Sequence, residues 1–154
     1  MGKHAKPKKS AIRAATVAGT LGTTLGLALV APSDAQAATY KGPEALKVVA
    51  AQKGDWYKWG ATGPSRFDCS GLMLYSFKKV GKTIPRTTNE QYNKATKISA
   101  GNRRVGDLVF LYSGTNEYHV MMYAGSGYVW HAPRTGERVK KERLWTSHVR
   151  YGRL

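Results

Sequence analysis

The chain has 154 residues, 42% of them hydrophobic, which suffices for one domain with a proper core and is too short for two comfortable ones. Its 25 Lys and Arg against nine Asp and Glu give a formal charge of +16, which favours a polyanionic partner: nucleic acid, anionic lipid or a charged extracellular polymer. The single cysteine excludes an intrachain disulfide framework.

The N-terminus divides that charge. Residues 1–13 carry Lys3, Lys6, Lys8, Lys9 and Arg13 and no acid, residues 14–31 are uncharged, and Ala35-Gln36-Ala37 supplies an A-x-A site. That is the order of a secretory signal peptide over residues 1–37, followed by one domain over 38–154. A retained membrane anchor is the alternative, but Gly19, Gly22 and Gly26 dilute the apolar run and no basic stop-transfer cluster follows it. Cleavage after Ala37 would remove five basic residues and Asp34, leaving 20 basic residues against eight acidic, a net +12. Export weighs against nucleic acid as the partner and leaves no membrane segment after cleavage. An unpaired cysteine in an exported chain is then a flag for a reactive thiol.

Past a short lead, Gly42-Pro43-Glu44 opens a helix with proline at an early position, and Leu46, Val49 and Ala50 form its apolar stripe before Gly54. Residues 55–65 form a loop rich in aromatics and glycine; its aromatics can be core or the lining of a cleft, with core the default. Residues 71–80, apolar on most sides and stopped by Gly81, predict a buried helix that carries Cys69 in its first turn. There the free backbone N–H groups and the helix dipole favour a thiolate, although a lone cysteine is also a good small core residue. Ile84-Pro85-Arg86 reads as an extended link, and Thr87-Thr88-Asn89-Glu90 as a capping box opening a short third helix. Residues 107–112, 118–124 and 127–131 then predict antiparallel strands, with Val139 and residues 148–154 as edge strands. Helices first and strands after make an α+β domain, N-terminal helices packed on a C-terminal antiparallel sheet.

Of the four histidines, His4 lies in the signal region, whereas His119 begins one strand of a predicted hairpin and His131 ends the other. If they face each other directly, opposite residues have indices summing to 250 and the turn centres on Gly125. A thiol, an imidazole base and a group that fixes the base's tautomer are the parts of a cysteine nucleophile, and Cys69, His119 and His131 can fill those roles in that order. One cysteine and two histidines could also ligate zinc, but no close-spaced ligand pair supports a metal, and no cofactor is implied.

Six ordered motifs carry a resemblance: Tyr57-Lys58-Trp59-Gly60, Phe67-Asp68-Cys69-Ser70-Gly71-Leu72, Pro85-Arg86-Thr87-Thr88, Gly106-Asp107-Leu108-Val109-Phe110, His119-Val120 with Tyr123-Ala124-Gly125, and His131-Ala132-Pro133-Arg134. Together, over about residues 43–145, they resemble the NlpC/P60 family. The resemblance implies a papain-like α+β domain that hydrolyses peptidoglycan stem peptides, commonly between γ-D-glutamate and a diamino acid. It implies Cys69 as nucleophile, His119 as base and His131 as orienting residue, with Tyr57 beside the oxyanion site and Asp68 and Ser70 near the substrate peptide. Two positions depart from the family: Ala61 stands where a second glycine is frequent, and Met121 where a glycine often follows His-Val. Met121 shares its strand face with His119, so its side chain would narrow the cleft. Basic residues including Arg103, Arg104, Arg134, Arg138, Lys140, Lys141 and Arg143 could hold a secreted, wall-associated enzyme to anionic polymers. The rival readings are an amidase of related fold that cuts between sugar and peptide, and a wall- or polyanion-binding module with an incidental thiol.

The exported protein is expected to begin at Ala38, which N-terminal sequencing of material recovered from the medium or wall tests. Recovery of Met1 or Gly2 from membranes would favour the anchor.

Overall fold

The computed structural model describes residues 40–154. The expected signal peptide and its cleavage site lie outside the described residues. Among the described residues, no helix is long and apolar enough to cross a membrane.

Three helices come first. Helix α1 (Gly42–Ala51) takes Pro43 in its first turn, where a missing N–H costs nothing, and buries Ala45 and Val49. Helix α2 (Cys69–Lys79) begins at the cysteine itself, capped by the Asp68 carboxylate, which accepts from Gly71 N. It ends as Gly81 predicts: Gly81, at φ +83°, donates to Lys78 O and Lys82 donates to Phe77 O, two bonds that satisfy the last free carbonyls. Helix α3 (Thr88–Lys94) has the full capping box, Thr87 and Glu90 each bonding the other's backbone N–H. Ahead of α2, the two-residue strands β1 (Trp56–Tyr57) and β2 (Arg66–Phe67) pair in parallel and bring Tyr57 alongside Phe67.

Six antiparallel strands follow: β3 (Thr96–Ile98), β4 (Leu108–Ser113), β5 (Asn116–Gly125), β6 (Tyr128–His131), β7 (Lys140–Arg143) and β8 (Val149–Arg153), in the spatial order β3-β8-β4-β5-β6-β7. The α+β order expected from the sequence is present. One face of the sheet, through Phe110, Val120 and Met122, packs against Leu72, Met73 and Phe77 of α2 and Ala45 and Val49 of α1. The other face carries a second cluster of Val109, Leu111, Met121, Tyr123, Val129 and Tyr151.

Two strand expectations need correction. Residues 148–154 are not an edge: β8 lies between β3 and β4 and pairs with both. Arg150 is bound to Glu117 at 2.5 Å and Arg153 to Asp107 at 2.7 Å, so both charges are neutralised inside the fold. The β5–β6 register is also shifted. Met122 faces Trp130 and Tyr123 faces Val129, so opposite indices sum to 252 rather than 250. Ser126 and Gly127, both at positive φ, make a two-residue hairpin turn, and the odd residue is absorbed one step earlier as a bulge at Ala124.

Asp107 ties the first described residue to the last strand. Fully buried, it accepts from Arg153 Nε and Nη2, each at 2.7 Å, from the Tyr40 hydroxyl at 2.8 Å and from Arg104 N at 2.6 Å. Burial and the hydrogen bond to Asp107 raise the Tyr40 phenol above its ordinary value, so Tyr40 stays a donor. Replacing Asp107 by Ala would strand these donors. Because Arg153 keeps some access to water, the expected loss is about 3 kcal/mol, the low end for a broken buried pair, measured as the shift in urea midpoint.

Candidate active site

Cys69 occupies the first position of α2, half-buried, and Asp68 immediately before it holds the surrounding loops in place. One carboxylate oxygen accepts from Gly71 N at 2.7 Å and Arg86 Nη1 at 3.2 Å, the other from Gly60 N at 3.0 Å and Arg86 Nη2 at 2.6 Å. Arg86 Nη1 also donates to Ser70 Oγ at 2.8 Å. Gly71 is required for this approach: a Cβ there would lie 2.1 Å from Ala61 O. Gln91 of α3, fully buried, donates to Ser70 O and Pro85 O, so the link before α3 is fixed beneath the head of α2. That places Thr88 Oγ1 3.7 Å from the thiol. Tyr57 lies near the thiol as well. Burial, with Cys69 and Asp68 close by, raises its phenol above the ordinary value.

The imidazoles stand on the sheet. His119 faces Leu111, and His131, two residues on from Val129, lies across from the Met121 side of β5. They are therefore diagonal neighbours on the second-cluster face, the same relation of face that the sequence predicted in a different register. His119 Nε2 is 2.8 Å from His131 Nδ1, and His131 Nε2 is 2.5 Å from Glu142 Oε1 on β7. Met121, on this face, is fully buried in the second cluster rather than standing in an open cleft. Burial, with the neighbouring His131, pushes the His119 imidazole down to about 3. Burial also lowers His131, against the opposing pull of Glu142.

Cysteine and histidines line separate grooves of about 530 Å³ each. One runs past Trp59, Asp68, Cys69, Arg86 and Thr88, the other past Leu111, His119, His131, Lys140 and Trp145. Tyr118 lines both. It is the extra residue of a bulge in β5, where the pairing slips between Leu111–His119 and Tyr112–Glu117. Among the described residues the thiol's hydrogen-bonding neighbour is Thr88, and no hydrogen bond joins it to His119. His119 Nδ1 is the nitrogen left free of the imidazole pair.

The sequence singled out Tyr57, Asp68, Cys69, Ser70, His119 and His131, and the structure gathers the first four around the helix head and the last two on the sheet. Glu142 was missed: it sits in a Lys-Lys-Glu-Arg run that reads as a solvated edge, and only the β6–β7 register brings it to His131. Trp59, for which core was the default, is 83% exposed at the thiol groove. Several basic residues counted as surface charge are engaged within the domain. Arg134 and Lys140 pair with Glu137, and Arg138 stacks on Trp56 at 3.8 Å. Among the described residues no group of three or more His, Cys, Asp or Glu is arranged to hold a metal ion.

A histidine held below its unfolded value binds fewer protons in the folded chain than in the unfolded one, so stability must fall as pH drops below about 6.5 and go on falling toward the folded value. For His119 this amounts to about 3 kcal/mol by pH 4. Urea midpoints at pH 7 and pH 4 should therefore differ less in His119→Gln than in the natural chain. An equal difference would mean that the buried neutral imidazole is not the cause.

A family model described as the NlpC/P60 family matches residues 54–152. The probable endopeptidase of Corynebacterium glutamicum is 47% identical over 79 residues, covering 51% of this chain and 37% of that protein. The bifunctional muramidase/DL-endopeptidase CwlT of Bacillus subtilis is 40% identical over 118 residues, covering 72% of this chain and 35% of that protein. The chain thus spans little more than a third of the length of these relatives. Among solved structures, the NlpC/p60 domain of the peptidoglycan hydrolase SagA superposes with a TM-score of 0.67 at 34% identity, over 73% of this chain and 97% of that one. The P60 domain of an antigen from M. avium subspecies paratuberculosis gives 0.65 at 33% identity, over 71% and 91%. The likeness covers the helices and the sheet together, and the fold is the papain-like α+β arrangement. With the match running from the loop before the cysteine helix to the last strand, the chain belongs to the NlpC/P60 family.

Proposed function

We propose that this protein is a secreted cysteine endopeptidase that hydrolyses peptidoglycan stem peptides, at the bond between γ-D-glutamate and the diamino acid. The observation that carries the reading is the thiol at the head of a capped helix, in a groove that meets the His119–His131 groove at Tyr118. The activities named for the relatives, probable endopeptidase and muramidase/DL-endopeptidase, support it.

In this reading substrate lies along both grooves and crosses Tyr118. The thiol exchanges Thr88 for His119 Nδ1, which takes its proton as sulfur attacks the amide carbonyl. The free N–H groups at the head of α2 hold the oxyanion, with Tyr57 beside them. The C–N bond breaks as His119 returns the proton to the leaving amine. Water, deprotonated by the same imidazole, then hydrolyses the thioester, releasing the carboxylate and restoring the thiol. Asp68 is saturated by Gly60, Gly71 and Arg86, so its part is to hold the groove wall, where Ser70 and Arg86 meet the peptide.

Association with anionic wall polymers is part of the same proposal. A third groove of about 690 Å³ is lined by Lys97, Arg103, Arg143 and Arg150 and by no acidic residue, and it shares Arg143 and Trp145 with the histidine groove. That charge supports a polyanion lying beside the site.

Mass spectrometry of a purified wall digest identifies the bond. Fragments with a new amino group on the diamino acid are expected, and both Cys69→Ala and alkylation of the thiol should abolish their release. New L-alanine amines on intact stems would instead make the protein an amidase, and no new ends would leave a binding module. Loss of activity to a chelator with indifference to thiol reagents would overturn the cysteine mechanism.

A further inference from the structure

His131 uses both of its ring nitrogens, and Glu142 determines how. A carboxylate can only accept, so His131 Nε2, 2.5 Å from Glu142 Oε1, must carry a hydrogen. A neutral imidazole has one N–H, so His131 Nδ1 is bare and accepts from His119 Nε2 across 2.8 Å. His119 then carries its hydrogen on Nε2, and its lone pair falls on Nδ1. One carboxylate on β7 thus sets the tautomers of two imidazoles on β6 and β5.

The carboxylate is itself held. Glu142 faces Val129 across the β6–β7 ladder, on the face shared by His131. Its second oxygen lies 3.4 Å from Lys140 Nζ, which is bound to Glu137 at 2.8 Å, and Glu137 in turn to Arg134 at 2.6 Å. The Trp145 ring lies 5.7 Å from the His131 ring. Without that acceptor His131 would be free to carry its hydrogen on Nδ1. That tautomer would donate to His119 Nε2 and move the His119 hydrogen onto Nδ1, leaving no lone pair for a thiol proton.

We propose that Glu142 is a positioning residue, the outermost member of a Glu142–His131–His119 chain that keeps His119 Nδ1 unprotonated and able to act as a base. Its kinetic consequence rests on the cysteine-peptidase reading; the tautomers do not.

The test is ¹⁵N NMR of the histidine rings in the full chain above pH 7, paired with kcat/KM on one defined stem peptide. In the natural chain both His119 and His131 should be single Nε2–H tautomers. Glu142→Ala should give mixed tautomers at His131 and lower kcat/KM at least tenfold, while Glu44→Ala, which removes an exposed carboxylate on α1, should leave the tautomers unchanged. Hydrogen on His131 Nδ1 in the natural chain overturns the proposal, and that spectrum is decisive even if Glu142→Ala fails to fold. So does an unchanged His131 tautomer in folded Glu142→Ala. If the tautomers respond as stated but no peptide is cleaved by any form, the positioning role stands and the peptidase reading falls.

Discussion

The carboxylate of Asp68 is the constraint on which the thiol's placement depends. It closes the first turn of α2, accepts from Gly60 in the preceding loop, and pairs with Arg86 in the link to α3. The helix head, the preceding loop and, 18 residues on, the link to α3 thereby converge on the two oxygens of one side chain, which is nearly buried and has donors on each. A charge removed from water must be met by fixed donors, and here the donors are backbone and side-chain groups of the loops that wall the groove. The cap therefore fixes more than a helix end. It sets the distance between the head of α2, Trp59 and Arg86, and with Gln91 beneath it, the position of Thr88 against the sulfur.

The sheet supplies the second half of the site by a different kind of constraint. Strand pairing permits only two faces, so once Val120 and Met122 are buried under α2, His119 must point to the other side. The bulge at Tyr118 is what lets a helix-side thiol and a far-side imidazole belong to neighbouring grooves. Glu117 before the bulge is directed to Arg150 and lines the thiol groove; His119 after it lines the other. An uninterrupted ladder would place Glu117 and His119 on one face. The extra residue is thus the structural element that joins the two grooves along β5.

Most of the fold was legible because its signals are local. The proline at the start of α1, the glycine after α2 and the Thr87–Glu90 box each act within a few residues, and each is found where it was expected. Most of the errors are non-local. The tail's central place depends on partners far away in the chain, because Glu117 and Asp107 are brought to Arg150 and Arg153 from 33 and 46 residues away. The hairpin register failed by two units because the sequence does not say where the odd residue is absorbed, in the turn or at Ala124. Glu142 was illegible for the same reason: nothing in its neighbours distinguishes a surface glutamate from one that register carries to an imidazole. The residues of the candidate site could be named from motifs, whereas their division between two grooves could not.

That division bears on how charge would be handled if the site works as proposed. His119 is buried and its imidazole is held well below its ordinary value, so an imidazolium paired with a thiolate is disfavoured there in the resting site. Creating such a pair in a buried site without substrate would cost several kcal/mol of desolvation with only partial Coulomb return. The fold supplies something else: a base of fixed tautomer on one side and free N–H groups at a helix head on the other. Positive charge arising on His119 would be stabilised through its hydrogen bond to His131, which is bound to Glu142, while negative charge arising on the carbonyl oxygen would meet the head of α2. Each charge then appears only where a group of opposite sign is already in place, and only when substrate bridges the two grooves.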